Sequence, residues 1–310
     1  MPCTAPGRGY RPLPTAETRK LVFSAREGFS DRPVNVPCGK CNGCIGDRAR
    51  DWAIRAHCEA QMHPWSTFAT FTYAEMPARA SLSMVDWQNL AKRMREAFGP
   101  FRFLTSGEYG TRFQRPHLHS LLFGLDFPDK VPSGRSASGE LLYRSPELEK
   151  VWGFGRVDLG DVTVKSAGYV ARYSAEKIEA ASIPEYYRRV DPFSGETWNV
   201  RPEFITMSRR PGLGFSWFQR FGSEVFPADR ITIEGTHYPV PEYFLRQLPE
   251  AQQWAVRARR HARAEDRMRA EDAMHVASNP DPLASTSRMF TKHQVGQLRA
   301  DRLIRAGGEV

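Results

Sequence analysis

The chain has 310 residues, enough for one substantial domain with appendages, and sets 44 Lys and Arg against 35 Asp and Glu, a formal net charge of +9. Most of the basic residues are arginine, whose planar fork binds phosphate and stacks on bases, so a polyanion, nucleic acid first, is favoured over a small acidic substrate. There is no apolar run of about 18 residues and no apolar core of a signal peptide near Arg8 and Arg11, which argues against a membrane partner and for a soluble cytosolic protein.

Residues 1–36, rich in Pro, Gly and Arg, read as an extended basic arm with little core. Five cysteines, an odd number, with three bunched as Cys38-x-x-Cys41-x-x-Cys44, fit a reducing compartment better than a disulfide framework. Three sulfurs are one ligand short of a closed tetrahedral zinc site, and Cys3, His57 and Cys58 are the choices for the fourth. Cys3 is the neatest, because a zinc bond would tie down the arm. Structural zinc, free thiols and an iron–sulfur cluster all remain open readings of the cluster.

A helical pattern runs from Asp47 to Met62, and Phe68–Tyr73 alternates aromatic residues with Thr and Ala as a half-buried strand does. A second helix follows, capped by Ser83, with Val85, Trp87, Leu90, Met94 and Phe98 on its apolar side and Gly99-Pro100 as its stop. Phe101–Tyr109 reads as a strand, and a turn leads to another that carries Arg115-Pro116-His117-Leu118-His119. Residues 128–147 look like a surface loop, Val151–Val164 resumes β character, and a helix carries Tyr169, Tyr173 and Lys177. This order gives an α+β fold, a sheet with helices packed mainly on one face. Further on, Ser208-Arg209-Arg210-Pro211-Gly212-Leu213-Gly214 is a basic, glycine-bearing loop suited to phosphate, and the Ala/Arg/Glu-rich stretch Pro249–Ala277 is an accessory helix. The domain reading is therefore an arm over 1–36, a main domain over 37–230 with a Cys-rich start, and a C-terminal accessory helical region over 231–310.

Side chains alternate across a strand, so His117 and His119 project to the same face and offer two nitrogen ligands side by side. Glu108, on the preceding strand, is the choice for a third ligand, since an antiparallel neighbour sets a carboxylate beside the imidazoles. Two nitrogens and one oxygen suit Mn²⁺ or Mg²⁺. Tyr169, Tyr173 and Lys177, spaced four apart, stack on one helix face. A phenol of pKa about 10 is ionised to roughly one part in a thousand at pH 7, so a tyrosine attacking phosphorus needs a cation on the phosphate.

The set Phe68–Tyr73, Gly107-Glu108-Tyr109-Gly110, Arg115-Pro116-His117-Leu118-His119 and Tyr169-x-x-x-Tyr173-x-x-x-Lys177, in that order, resembles the HUH endonucleases that initiate rolling-circle replication. Within them it is most similar to the initiators of the gokushovirus branch of the microviruses, a likeness that extends over roughly residues 37–245 and includes Pro37–Cys44, Trp52–Arg55, Ser208–Gly214 and Tyr238–Pro241. The resemblance implies an antiparallel sheet of about five strands, the histidines on a central strand and the tyrosine helix alongside. It implies that a tyrosine, Tyr173 first by its Tyr-x-x-x-Lys form and Tyr169 second, cuts single-stranded origin DNA, stays linked to the 5′ phosphate and later rejoins the displaced strand. Lys177 pairs with phosphate or phenolate in that scheme, and Arg115, Arg172, Arg209 and Arg210 bind DNA. The setting is the cytoplasm of a bacterial host, with a host polymerase extending the 3′ end. No Gly-x-x-x-x-Gly-Lys-Ser/Thr is present, so a host helicase must open the duplex. The rivals are a plasmid relaxase or transposase of the same chemistry and a non-catalytic, zinc-containing DNA-binding regulator. A two-histidine phosphoesterase is disfavoured, because His237-Tyr238-Pro239 does not supply its second motif.

Overall fold

Few apolar residues occur in the first 36 positions, so paired backbone has to hold that segment. β1 (Gly7–Pro12) and β2 (Gly28–Val36) form a two-stranded antiparallel ribbon, in register from Gly7 opposite Val36 to Pro12 opposite Gly28. The segment read as an extended arm thus contains a ribbon. The structure, a computed structural model, describes residues 3–18, 20–110, 113–136, 138–164, 166–171, 184–191 and 193–278. Among the described residues, contacts group the chain into two units, one up to Asp47 and the other from Arg48 onward. Helix α1 (Asn42–Ala60) begins in the first.

In the second unit, seven strands among the described residues form one sheet in which all pairings are antiparallel. In chain order they are β3 (Ser66–Thr72), β4 (Arg102–Tyr109), β5 (Pro116–Phe123), β6 (Val131–Arg135), β7 (Leu141–Arg144), β8 (Val157–Asp161) and β11 (Phe204–Met207). Across the sheet the order is β11-β4-β5-β3-β8-β7-β6. Two short hairpins stand apart, β9 (Arg188–Val190) with β10 (Thr197–Asn199), and β12 (Arg230–Ile233) with β13 (Thr236–Pro239).

Period-two alternation gives the central strands two apolar faces. Phe71, Leu118, Leu122 and Tyr109 face one way and meet α2 (Met84–Phe98) through Trp87, Leu90 and Met94, and α3 (Pro146–Trp152) through Leu148 and Trp152. Leu104, Leu121 and Phe123 face the other way and meet Ala53 and Ala56 of α1 and Ala167 and Val170 of α4, helical at residues 166–171. The α+β class with its antiparallel sheet is borne out. The sheet is wider than about five strands, and helices cover both faces because β3, β4 and β5 carry apolar residues on both.

A third cluster joins Ile54 and Cys58 of α1 to α5 (Phe215–Ala228), α6 (Glu242–Leu245) and α7 (Glu250–Ser278) through Trp217, Phe226, Phe244, Leu245 and Val256. The C-terminal region therefore holds a hairpin as well as helices. Among the described residues no helix is long and apolar enough to cross a membrane.

Ser83 caps α2 as expected, its hydroxyl accepting from Asp86 N, and Gly99 ends it at φ +90°. Val85, expected on the apolar side, instead points to solvent at 52% exposure. Residues 128–147 are not a loop. They form the β6–β7 hairpin, whose exposed edge position leaves no buried alternation to read. Val151–Val164 is likewise not continuous strand, because Ser145 caps α3 through Leu148 N, Pro146 starts it, and Gly153 ends it in the left-handed region.

Trp152 of α3 is fully buried, stands edge-on to Phe71 and Tyr73, and donates from Nε1 to the Thr72 carbonyl at 3.2 Å. Trp152→Ala is expected to remove about 3–5 kcal/mol of stability, read as a lower urea midpoint at unchanged slope. An unshifted midpoint would show that α3 adds nothing to this face of the core.

Candidate metal site

Strand register builds the first group. Glu108 of β4 lies directly opposite His117 of β5, and Ser106 lies opposite His119, which on its other side faces Thr70 of β3. All five side chains project from one face, and Glu108, His117 and His119 bring one ligand atom each within 4.8 Å of one another, a grouping that could hold a metal ion. The two imidazoles meet through their Nε2 atoms at 3.0 Å. His117 Nδ1 lies 3.1 Å from the Arg115 carbonyl, which can only accept, so in the neutral ring the proton sits on Nδ1 and Nε2 carries the lone pair. His119 Nδ1 is 2.9 Å from the Thr70 hydroxyl, and Ser106 Oγ donates to Glu108 Oε1 at 2.7 Å.

Bonds of this kind, on the ring nitrogen or oxygen turned away from a metal, orient metal ligands. Glu108 and His119 are buried, while His117 is half-buried and forms the open side. Burial, and then His117 beside it, hold the His119 pKa well below the ordinary imidazole value, so the ring stays in its ligating, neutral form. Phe68 stacks on His119 with centroids 5.7 Å apart and walls off one side.

Helix α4 brings a phenol to the group. Thr163 and Ser166 cap its start reciprocally, Thr163 N donating to Ser166 Oγ and Ser166 N to Thr163 Oγ1. Ala167 and Val170 are buried in the core, and Gly168 faces Ala53 of α1. Tyr169 then stands edge-on to His119, ring centroids 5.1 Å apart at 88°. Arg172, Tyr173 and Lys177 lie outside the described residues.

Arg115 is exposed, but its guanidinium donates to the Tyr73 and Ala74 carbonyls at 2.8 and 3.2 Å, tying the turn before β5 to the end of β3. Arg209 and Arg210 are exposed on the 208–214 loop. That loop is held mainly by its backbone, with the Ser208 hydroxyl accepting from Phe103 N at 3.1 Å and Leu213 buried in the core. Arg102 donates to the Pro211 carbonyl at 2.7 Å, Arg55 to the Leu213 carbonyl at 3.1 Å, and Gly214 N to Glu59 Oε2 at 2.6 Å. Gly212 and Gly214 are required there, since a Cβ would run into the Tyr243 and Phe244 rings. Arg55 is itself sandwiched between Trp52 and Tyr243 at 4.1 and 3.8 Å.

The second group is the cysteines. Cys3, Cys38, Cys41 and Cys44 bring their sulfurs within 4.8 Å of one another. Cys58, one of the alternatives weighed for the fourth position, is instead packed with Ile54 and Trp217, and burial, followed by Glu59, pushes its thiol up. Burial opposes ionisation of Cys41, but backbone N–H bonds from Thr4 and Cys44, with further bonds from the Thr4 and Cys38 side chains, bring its pKa down to about 6. Cys44 is pushed up to about 12 by burial and by the Cys41, Cys3 and Cys38 sulfurs around it, against a bond from Gly39 N.

Comparison with known proteins gives these residues a context. Residues 66–178 match the family model described as replication-associated protein ORF2/G2P. Over 239 residues the chain is 29% identical to replication-associated protein VP4 of Bdellovibrio phage phiMH2K, covering 73% of this chain and 72% of that one. It is 27% identical over 230 residues to replication-associated protein ORF2 of Spiroplasma virus 4, covering 69% and 68%. Replication-associated protein ORF4 of Chlamydia phage 1 is 29% identical over 228 residues, covering 69% and 54%. The chain is similar to the phage replication-associated proteins. No solved structure matches it. The likeness to microvirus initiators read from its motifs is borne out. The matched segment runs from the start of β3 to residue 178, and so contains Glu108, both histidines, Tyr169, Tyr173 and Lys177, while the cysteine group and the 208–214 loop lie outside it.

Sequence reasoning missed Thr70, Ser106 and Glu59. Thr70 and Ser106 were legible as polar residues at even spacing on strands whose register places them beside a histidine. Glu59 gave no such signal, being one acid in a mixed helix. It is buried at 3% exposure and holds His63, Arg102 and the Gly214 N–H together. Burial pushes its carboxyl up, but His63, the Gly214 N–H and Arg102 outweigh it and hold the pKa below the ordinary 4.5. With a depressed folded pKa, the stabilisation is complete above the unfolded value and fades as pH falls through the folded one. Glu59→Gln is expected to cost on the order of 3 kcal/mol at pH 7 by leaving Arg102 unpaired, with the gap to wild type closing as pH falls below 4.5. A gap that stayed constant from pH 7 to 3 would contradict the ionised network.

Proposed function

We propose that the protein initiates phage DNA replication by cutting single-stranded origin DNA through a tyrosine and later rejoining the displaced strand. What carries this reading is the convergence of Glu108, His117 and His119 on facing strands with the Tyr169 ring edge-on to His119. The donor set fits a hard or borderline divalent ion, two imidazole nitrogens and one carboxylate oxygen, with the remaining positions open to phosphate and water. Bound there, Mn²⁺ or Mg²⁺ neutralises charge on a non-bridging phosphate oxygen and orients the scissile bond.

The chain's own residues do the rest. His119 stays neutral through burial, and Thr70 and Ser106 fix the ligand orientations. The phenol oxygen of Tyr173 or Tyr169 bonds to phosphorus as the bond to the 3′ oxygen breaks. That oxygen takes a proton and becomes the 3′ hydroxyl that a host polymerase extends, while the 5′ phosphate stays on the tyrosine. The second tyrosine repeats the exchange at the regenerated junction, and the freed 3′ hydroxyl attacks the first phosphotyrosine, so that a 3′–5′ phosphodiester replaces the tyrosyl ester, the first phenol leaves with the proton, and the displaced strand is closed. One ester replaces another at each step, so no nucleotide hydrolysis is needed for the joining. Lys177 pairs with the phosphate, and Arg115, Arg172, Arg209 and Arg210 meet the DNA backbone. A host helicase opens the duplex, and the reaction takes place in the bacterial cytoplasm.

The test uses single-stranded oligonucleotides tiling the genome that encodes the chain, incubated with the protein and Mn²⁺. The expected product is a covalent 5′ adduct that resists denaturing electrophoresis, lost on chelation, in His117→Ala or His119→Ala, and in the double variant Tyr169→Phe, Tyr173→Phe. Thr70→Val, which keeps both ligands, should lower activity by about 10–100-fold with partial recovery at high Mn²⁺. An adduct formed equally by the double Phe variant, or without the histidines, refutes the reading.

A further inference from the structure

We propose that Cys3, Cys38, Cys41 and Cys44 hold a structural zinc ion as a closed four-thiolate site that staples the β1–β2 ribbon at its open end. The sulfur spacings carry the geometry. Cys41 lies 3.6 Å from Cys44 and 3.8 Å from Cys3, and Cys38 lies 3.9 Å from Cys44. A tetrahedron with zinc–sulfur bonds of about 2.3 Å has sulfur–sulfur edges of about 3.8 Å. A disulfide would need about 2.05 Å. A four-iron cluster binds each cysteine to a different iron and spreads the sulfurs wider than a single ion does.

The backbone is arranged for thiolates. Cys38 N donates to Cys3 Sγ at 3.3 Å, and Lys40 N and Cys41 N both donate to Cys38 Sγ, at 3.4 and 3.3 Å. Thiols are weak acceptors, whereas N–H groups converging on sulfur stabilise the anionic form that binds metal. Four soft sulfur donors select zinc over Mg²⁺ or Mn²⁺, and four protein ligands leave no position for substrate. The site is therefore distinct in kind from the His117/His119/Glu108 group.

The ribbon supplies the reason for a staple. Among the described residues before Ile45, Val22 is the only hydrophobic side chain that is buried. A two-stranded ribbon without a core is marginal in water. Cys3 and Cys38 flank it just outside the terminal pair, Gly7 opposite Val36, so a metal joining them closes the whole segment as one loop. Metal binding then contributes directly to its folding.

The test is metal and thiol analysis of the full chain purified without added metal. The expected result is one zinc per chain by mass spectrometry, retained in Cys58→Ser and in the double variant His117→Ala, His119→Ala, and lost in Cys3→Ser and Cys44→Ser. The histidine variant separates this site from the catalytic reading, which fails or stands on its own assay. Titration of the wild type with an organomercurial should release the zinc as the four cluster thiols react, which needs no variant to fold. Stripping the zinc should expose Arg8 and Arg26 to trypsin ahead of the sheet. Chains with no metal and four freely reactive thiols, iron in place of zinc, or a trypsin pattern indifferent to zinc would each overturn the assignment.

Discussion

The antiparallel register of β4, β5 and β3 is the constraint on which the rest depends. Glu108 opposite His117, and Ser106 opposite His119 opposite Thr70, are consequences of which residue pairs with which. The side-chain period of a strand is two, so a slip of one residue would turn both imidazoles into the face occupied by Trp87 and Trp152 and bring Leu118 to the polar face. The register is in turn fixed by the apolar residues interleaved with the ligands. Leu118 and Leu122 bury against α2 and α3, and Leu121 and Phe123 against α1 and α4. The hydrophobic energy that folds the sheet is also what aims the ligands, and there is no separate device for positioning them.

Burial of that group has two effects that reinforce each other. It takes His119 and Glu108 out of water, which keeps the imidazole neutral, and it surrounds them with partners that have only one sensible orientation: a carbonyl for His117 and hydroxyls for His119 and Glu108. The half-buried His117 and the neighbouring Tyr169 mark where the group opens. A group held this way is enclosed around Glu108 and His119 and accessible at His117.

Much of this was legible in the residues, and what was not had physical causes. The His-x-His strand, the Glu108 partner and the α2 helix follow from period-two and period-3.6 patterns that burial enforces. The β6–β7 hairpin escaped because it sits at the sheet edge with both faces mostly wet, so nothing selected alternating apolar residues. Helix α3 escaped for a different reason. Its Ser145-Pro146 start and Gly153 stop are written in the sequence, but it is only seven residues long, and its buried Leu148 and Trp152 leave too short a run for a period to show. Glu59 escaped because a buried ion network is a property of three distant segments, α1, β4 and the 208–214 loop, which no local pattern registers. The fourth cysteine was preferred only because a metal bond there would tie down the arm, and its proximity to the other three is a fact of the fold.

The 208–214 loop has a consequence for how such a protein can change over time. Its anchors are main-chain atoms, the Pro211 and Leu213 carbonyls and the Gly214 N–H, together with the Ser208 hydroxyl and the buried Leu213 side chain, and its glycines give clearance under Tyr243 and Phe244. The exposed side chains of Arg209 and Arg210 are thereby uncoupled from the loop's shape. Substitutions at those two positions alter the charge this surface displays while leaving the platform intact, so its electrostatics can drift without passing through a misfolded ancestor.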